Sequence, residues 1–179
     1  MRAVVLEMDE RVLKDRERQG ADKWDEMWEG VLHLVPPPTA RHQRVEDELW
    51  LALRPAARRR GWMITTDTGV FAAADDYKVP DIVVYPFEAG SERGVEGAPE
   101  VVVEVRSPGD ESHEKAPWYL GRGAKAVLIV DRDTLAIELY TQGGRVPPAE
   151  DGSLLLEPLD VRVAPSGNTL MVDSKKLEL

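Results

Sequence analysis

Two acidic residues lie in short apolar stretches of this sequence, where a carboxylate is costly. Asp81 lies within residues 79–85, and Glu104 lies within residues 101–107. Both stretches are rich in β-branched residues, which favours strands. The second is apolar at almost every position rather than alternating, a pattern typical of a central strand that is buried on both faces. A buried carboxylate is unfavourable unless it is paired or bound to a metal ion, so Glu104 requires a partner.

The two carboxylates could share one cation. Side chains alternate between the two faces of a strand, so Asp81 shares a face with Val83, and Glu104 shares a face with Arg106. If the two strands are neighbours, Asp81 and Glu104 can bind one divalent ion together. Oxygen ligands favour magnesium, manganese or calcium over zinc, and the sequence has no cysteine that would favour zinc.

Charge pairing is the alternative to a metal. Glu104 could form a buried salt bridge with Arg106 or Lys115. Lys115 could instead pair with Glu111, four residues earlier, on an exposed helix face, a contact worth about 0.3–0.5 kcal/mol. The residues alone favour this exposed pairing. Arg106 stays charged at any accessible pH, so it cannot act as a base, but it can neutralise Glu104 or bind a phosphate.

The order of these residues resembles a known family. Pro80-Asp81, then Glu104-Val105-Arg106-Ser107-Pro108, then Lys115 are similar to the pattern of the Uma family of restriction endonucleases, within the PD-(D/E)xK nuclease superfamily. The similarity extends over roughly residues 20–142, which is most of the chain. Its further matches are residues 25–32, 36–38, 42–43, 118–119, 121–123 and 130–131.

The resemblance implies a site and a chemistry. In the superfamily motif an aspartate and a glutamate bind a divalent metal, which assigns Asp81 and Glu104 to Mg²⁺ or Mn²⁺. A lysine assists the attacking water; Arg106 occupies its usual position, and the resemblance places the lysine on the next helix as Lys115. The carbonyl of Val105 would be a further metal ligand. The implied substrate is DNA, and the implied assembly is a homo-oligomer, in the simplest case a twofold dimer.

Two further residues match the family more weakly. Glu26 resembles an acidic residue of the family's first hairpin and could be a third carboxylate on the metal, but an exposed strand residue is an equally good interpretation. His42 matches the family pattern beside the proline-rich turn. A lone histidine near the start of a helix is more often structural, and that interpretation is favoured.

The surrounding elements predict a mixed α/β (α+β) domain: a restriction-endonuclease-like core with a mixed central β-sheet, flanking helices and an N-terminal β-hairpin. Thr39 is expected to cap a helix, with Glu46, Asp47 and Glu48 facing out, and Pro55 is expected to kink or split it.

We expect one domain over residues 1–179, with an N-terminal arm or helix over 1–20, a core over 24–142 and a C-terminal extension over 143–179. The predicted elements are a hairpin (24–35), helices (from 40 and over 111–121) and strands (62–66, 70–73, 79–85, 101–107, 125–130, 135–141 and 154–156).

Composition narrows the class of protein. The sequence has no cysteine, no apolar run of membrane-spanning length and no signal-peptide pattern, which favours a cytoplasmic protein. Its formal net charge of -10 is unfavourable for a general nucleic-acid binder. One dense basic cluster, Arg54 with residues 58–60, is expected to be cations near a helix C-terminus, with phosphate contact as the alternative.

The leading hypothesis is therefore a metal-dependent endonuclease that hydrolyses DNA. The alternative is a catalytically silent homo-oligomeric binding or scaffold module of the same fold, which the acidic charge and Arg106 favour. A weaker third hypothesis is a metal-dependent hydrolase of a small phosphoester. Five tryptophans against two phenylalanines also suggest that some aromatic surface is buried by a second copy of the chain.

Overall fold

The computed structural model describes residues 3–5 and 9–179. Its helices are α1 (Glu10–Gln19), α2 (Ala40–Arg59) and α3 (Ser112–Gly121). Its strands are β1 (Ala3–Val5), β2 (Glu26–Trp28), β3 (Val31–Leu34), β4 (Trp62–Thr66), β5 (Val70–Ala73), β6 (Asp76–Lys78), β7 (Ile82–Pro86), β8 (Val101–Arg106), β9 (Ala126–Asp131), β10 (Ile137–Thr141), β11 (Gly144–Val146), β12 (Leu154–Leu156), β13 (Val161–Ser166), β14 (Thr169–Val172) and β15 (Lys175–Lys176).

A six-stranded mixed sheet forms the centre, in the order β11-β10-β9-β8-β7-β4. Strands β8 and β9 are parallel, whereas β7 pairs antiparallel with both β8 and β4. The first five residues of β8 are all buried, which explains its nearly continuous valine run. The fold class expected from the sequence, a mixed central sheet with flanking helices, is therefore confirmed.

The two long helices of the core cover opposite faces of this sheet. Residues Val101, Val103 and Val105 of β8 pack in one apolar cluster with α2, and Val102 packs in a second cluster with α3. Because side chains alternate along a strand, Glu104 points to the same face as Val102. Glu104 therefore faces α3, and this orientation decides which side chains can reach it.

The predicted hairpin is present and belongs to a second sheet of order β1-β3-β2-β6-β5. Its turn is Glu29-Gly30, and both residues have positive φ, 48° and 84°. Such a turn matches the twist of the flanking strands, and glycine adopts its second position without strain. In the hairpin register Glu26 lies opposite His33, so these two side chains share a face.

The start of helix α2 agrees with the prediction, whereas its course at Pro55 and the burial of Glu46 differ from it. Thr39 caps it as expected, because its hydroxyl accepts a hydrogen bond from the backbone N–H of His42 at 3.3 Å. Pro55 does not split the helix, which runs on to Arg59, with Leu53 and Ala56 buried on either side of the proline. The outward orientation expected for Glu46 is wrong, since this side chain is buried together with Val45 and Leu49.

The ends of the chain add one helix and one small sheet. Helix α1 lies within the expected N-terminal arm or helix, has no buried residue and is capped by Asp9, while residues 1, 2 and 6–8 of that segment lie outside the described part of the chain. Strand β12, predicted as an edge strand, is the edge of a sheet of order β12-β13-β14-β15. Apolar residues of that sheet share the α2 core cluster. None of the described helices is long and apolar enough to cross a membrane.

Candidate active site

A cavity of about 300 Å³ opens where the hairpin, the start of α2, the start of β7 and the end of β8 meet α3. Its wall carries many titratable groups, which is typical of a functional cleft. The charged and titratable residues on the wall are Glu26, His33, His42, Asp67, Asp81, Glu104, Asp110, Glu111, Lys115 and Arg132.

The two carboxylates of the sequence motif lie on neighbouring strands. In the antiparallel pair β7–β8, Ile82 is opposite Val103, so Asp81 comes next to Glu104 at the following step. The backbone N–H of Val105 donates to Oδ2 of Asp81 at 2.5 Å. The Asp81 carboxylate is thus fixed against the peptide bond that joins Glu104 to Val105.

Glu104 is almost completely buried and is held by two donors. The hydroxyl of Tyr119 donates to its Oε1 at 2.8 Å, and the ammonium of Lys115 lies 3.0 Å from its Oε2. Burial raises the pKa of Glu104 to about 8, and the carboxylates of Asp81 and Glu26 act in the same direction, against the Lys115 charge. Burial therefore outweighs the favourable contact with Lys115 in setting the pKa of Glu104.

Lys115 is the cation at the centre of this group. Its Nζ also lies 3.0 Å from Oε1 of Glu26, so two carboxylates hold it. Burial works against its charge, but Glu104, Glu26 and Asp81 together raise the pKa of Lys115 above its usual value. The exposed helix face that the residues alone favoured for this lysine is wrong, since Lys115 is only 13% exposed and its ammonium contacts these carboxylates.

Glu26 is buried rather than exposed. Its Oε1 accepts from the backbone N–H of Val79 at 2.8 Å as well as from Lys115, and its Oε2 accepts from the indole N–H of Trp28 at 2.8 Å. Both oxygens are thus used by protein donors. This geometry suits a carboxylate that positions Lys115.

Arg106 pairs with Asp131 rather than with Glu104. Its guanidinium lies 2.5 Å from Oδ2 of Asp131, which is its register partner on the parallel strand β9. The interpretation that made Arg106 a neutralising partner of Glu104 therefore does not fit. Arg106 is 36% exposed, so contact with a substrate phosphate at the rim stays a hypothesis.

His42 contacts the motif residue Asp81 directly, although the sequence favoured a structural role for it. Its Nε2 lies 2.8 Å from Oδ1 of Asp81, and its Nδ1 lies 3.3 Å from the hydroxyl of Ser107. Burial opposes the charged form, but the hydrogen bond and the charge of Asp81 raise the pKa of His42 above its usual value. The imidazole therefore fixes the Asp81 carboxylate from the α2 side.

Sequence reasoning missed two buried residues of this region. Glu46, one turn after His42, is 1% exposed, and burial together with Asp81 and Asp67 raises its pKa to about 9. Its position beside Val45 on the apolar side of α2 was the available signal. Tyr119, three residues after the buried Ala116 on α3, could have been found in the same way.

The basic cluster predicted at the end of α2 is not part of the cavity wall. Arg54 stacks over Trp50, with its guanidinium carbon 4.8 Å from the ring centroid, and Arg60 stacks over Trp62 at 5.6 Å. These contacts agree with the interpretation of these arginines as cations that pack near a helix C-terminus.

The donor set suits a hard divalent cation. The carboxylates of Asp81 and Glu104 are oxygen ligands of the kind that Mg²⁺ and Mn²⁺ prefer, and Val105, whose carbonyl was expected as a further ligand, also lines the cavity. Burial is the main cause of the raised pKa of Glu104, the carboxylates of Asp81 and Glu26 add to it, and a bound divalent ion would favour the charged form. His42, Glu46 and Asp81 form a further group whose donor atoms, one from each, all lie within 4.8 Å of one another.

Comparisons with known proteins give the family. Among solved structures, the chain is similar to a protein of Anabaena variabilis described as a putative nuclease, with a TM-score of 0.65 and 19% identity; the match covers 76% of this chain and 83% of that chain. At this identity the likeness shows a shared fold. No curated protein matches. The sequence model of the family "Uma2: Putative restriction endonuclease" matches residues 13–167. Since this match covers most of the chain, the protein belongs to the Uma2 family.

Proposed function

We propose that the protein is a metal-dependent endonuclease of the PD-(D/E)xK type that hydrolyses phosphodiester bonds in DNA. Membership of the Uma2 family and the nuclease-like fold support this function. The observation that carries the proposal is the position of Lys115. A charged ammonium from α3 lies 3.0 Å from Glu104, on the wall of the cavity that also contains Asp81.

Asp81 and Glu104, with the carbonyl of Val105, are the proposed ligands of one Mg²⁺ or Mn²⁺. When bound, such an ion lowers the pKa of a coordinated water and neutralises charge on a phosphate oxygen. The protein groups around it fix the ligands: Val105 N–H and His42 hold Asp81, and Tyr119 holds Glu104. Ligands that are fixed in this way lose little conformational freedom on binding.

Lys115 is the proposed catalytic cation. Its raised pKa keeps it as an ammonium, so it can donate hydrogen bonds but cannot accept a proton. It would orient the attacking water and stabilise the charge that develops on the phosphate in the transition state. Glu26 was expected as a metal ligand; because its Oε1 lies 3.0 Å from the Lys115 ammonium and also accepts from the backbone N–H of Val79, we assign it the role of positioning Lys115.

The charge of the cavity gives the metal a second role. Six acidic residues line the wall, whereas its basic side chains are Lys115, Arg132 and two histidines. A phosphate would be repelled by this wall unless divalent cations were bound. We therefore expect DNA binding, and not only cleavage, to depend on Mg²⁺ or Mn²⁺.

A homodimer is part of the proposal, and the family resemblance supports it. The number of tryptophans does not support a dimer. All five are partly buried within the chain, and four of them donate their indole N–H to acceptors in the same chain. An exposed apolar side chain such as Phe87, which is 75% exposed, is a better candidate for contact with a second copy. Light scattering at micromolar concentration tests this; a monomer would contradict it.

Plasmid nicking tests the activity. We expect wild type to convert supercoiled DNA in Mg²⁺ or Mn²⁺, to lose this activity in EDTA, and to be about a hundredfold faster than Glu104→Gln. Glu114→Gln is the control, because this residue lies exposed on α3. Equal rates in wild type and Glu104→Gln would remove Glu104 from the mechanism. Absence of cleavage by wild type in every metal would favour the catalytically silent module.

A further inference from the structure

A second cavity, of about 410 Å³, lies against the sheet that contains the hairpin. Asp67 and Val79 line both this cavity and the candidate active site, so the two adjoin. The backbone N–H of Val79 also donates to Glu26, the carboxylate that holds Lys115. A DNA strand with one phosphate at Lys115 would therefore pass the mouth of the second cavity.

Two aromatic rings form part of the wall of this cavity. Phe71 of β5 and Tyr77 of β6 are opposite each other in the antiparallel register, and their ring centroids are 4.9 Å apart. The Phe71 ring is held in place, because the guanidinium of Arg93 lies 3.9 Å over its centroid and a carbon added at Gly69 would come within 2.7 Å of it. Aromatic side chains fixed along a groove are the surfaces on which unpaired bases stack.

The charge of the second cavity differs from that of the first. Lys23 and Arg93 supply two positive charges, and Lys23 forms no ion pair within the described part of the chain. Of the three carboxylates on the wall, Asp25 is neutralised by Arg16. The remaining two equal the cations in number. This cavity therefore lacks the excess of negative charge that would repel a phosphate from the first cavity.

Asp67, between the two cavities, supplies a hydrogen-bond acceptor. Its φ is positive, 47°, and its backbone N–H donates to the carbonyl of Asp81 at 3.2 Å. Its Oδ1 accepts from the indole N–H of Trp24 at 3.1 Å, whereas its Oδ2 has no hydrogen-bond partner within residues 3–5 and 9–179. A carboxylate only accepts, so it suits the exocyclic amino group of cytosine or adenine. Thymine presents a carbonyl oxygen instead.

We propose that the second cavity binds an unpaired nucleobase that carries an exocyclic amino group, next to the phosphate at the candidate active site. Phe71 and Tyr77 contact the base, and Asp67 accepts from its amino group. Lys23 and Arg93 contact the neighbouring phosphates. The inference rests on the proposed function for the class of substrate, DNA, and does not depend on cleavage.

Without a base, the second cavity is a solvated groove of the hairpin sheet. In that case Phe71 and Tyr77 only pack against each other, and Lys23 attracts DNA no more than another exposed lysine does. The two descriptions differ in whether cytosine is preferred over thymine and in which side chains contact a bound base. Both quantities can be measured without a cleavage assay.

The experiment measures, by fluorescence anisotropy in Ca²⁺, the Kd of single-stranded oligonucleotides about eight nucleotides long, made only of cytosine or only of thymine. A gel confirms that the oligonucleotides stay intact. We expect wild type to bind the cytosine oligonucleotide about fivefold more tightly than the thymine one. Asp67→Asn should reduce this ratio to about twofold or less, because an amide can also donate to thymine. Tyr77→Leu should weaken the binding of both by about fivefold or more.

Two further measurements do not depend on the stability of the Tyr77 variant. Lys23→Gln should weaken binding and lower its salt dependence, since a phosphate contact is lost. Lys14→Gln is the matched control, because Lys14 is 73% exposed on α1, and it should bind as wild type does. Irradiation of wild type with an oligonucleotide that contains 5-iodocytosine should give a cross-link, and mass spectrometry should locate it at Tyr77 or Phe71.

Each contrary result has a distinct meaning. Equal affinity of wild type for the cytosine and thymine oligonucleotides overturns the inference, and so does a cross-link found only outside the second cavity. Lys23→Gln that binds as Lys14→Gln does overturns the phosphate contact. If wild type still nicks plasmid DNA, these results leave the proposed function intact. Wild type that prefers cytosine and cross-links at Tyr77 but nicks no DNA supports the inference and contradicts the proposed function.

Discussion

The ammonium of Lys115 lies 3.0 Å from a carboxylate oxygen of Glu26, a residue 89 positions earlier in the chain. This contact joins the hairpin sheet to helix α3. The same ammonium contacts Glu104 on the central sheet, so one side chain connects three elements. The lysine is therefore both the proposed catalytic cation and a structural counter-ion, and its removal has two separable effects.

Replacement of Lys115 by methionine should destabilise the protein by about 3–5 kcal/mol at neutral pH, because Glu26 and Glu104 are left buried without their cation. Cleavage, measured where the variant is folded, should fall by about a hundredfold or more. Chemical denaturation measures the first effect and plasmid nicking the second.

Lys14→Met is the matched control for this change. Lys14 pairs with Glu10 on α1, and the two side chains are 73% and 84% exposed. Its replacement should cost less than about 0.5 kcal/mol, since exposed pairs contribute little. A Lys115→Met variant that is as stable as Lys14→Met would contradict the buried arrangement.

Tyr119→Phe should lower the free energy of unfolding by about 1–2 kcal/mol, because the buried carboxyl group of Glu104 loses a hydrogen-bond partner. The distance is 2.8 Å and both partners are buried. Tyr140→Phe removes a similar bond, 2.7 Å long, to the more exposed Glu138, and should cost less. Urea denaturation of the two variants makes the comparison, and a larger loss for Tyr140→Phe would contradict it.

The sequence predicted the strands of the site well because their signal is local. Runs of valine and isoleucine mark β7 and β8, and two such strands in succession commonly pair. Asp81 and Glu104 could therefore be expected as neighbours from the sequence alone. The cap at Thr39 and the hairpin turn at Glu29-Gly30 are local signals of the same kind.

The partners of charged residues could not be predicted, because they depend on contacts between distant elements. Lys115 has Glu111 four residues earlier, yet its ammonium pairs with Glu26 and Glu104. Arg106 has Glu104 two residues away, yet the parallel register of β8 and β9 gives it Asp131. Local spacing alone ranks the nearer partner first, and tertiary packing selects the other.

Arg106→Gln should leave Mn²⁺ affinity unchanged within about twofold, because its guanidinium contacts Asp131 rather than Glu104. Stability should fall by no more than about 1 kcal/mol, the usual range for a partly exposed ion pair. Calorimetric titration of Mn²⁺ measures the affinity, with Glu104→Gln as the variant that should weaken it. A strong effect of Arg106→Gln on metal affinity would show that its charge does act on the site.

Asp131 provides a test of pH dependence outside the proposed metal ligands. Burial alone would raise the pKa of Asp131, but the Thr134 and Asp133 amides, with the charge of Arg106, hold it below its usual value. A carboxyl group whose pKa is lower in the folded state stabilises the fold above its unfolded pKa of about 3.9, and this contribution is lost as the pH falls through the folded value.

Asp131→Asn should therefore be less stable than wild type at pH 7, and the difference should shrink as the pH falls below about 4. Denaturation curves at pH 7 and at several acidic values measure the change. The control is Asp47→Asn, an exposed position on α2, where the difference from wild type should stay small at every pH. If the Asp131→Asn difference were the same at neutral and acidic pH, the charged form of Asp131 would not be what its hydrogen bonds stabilise.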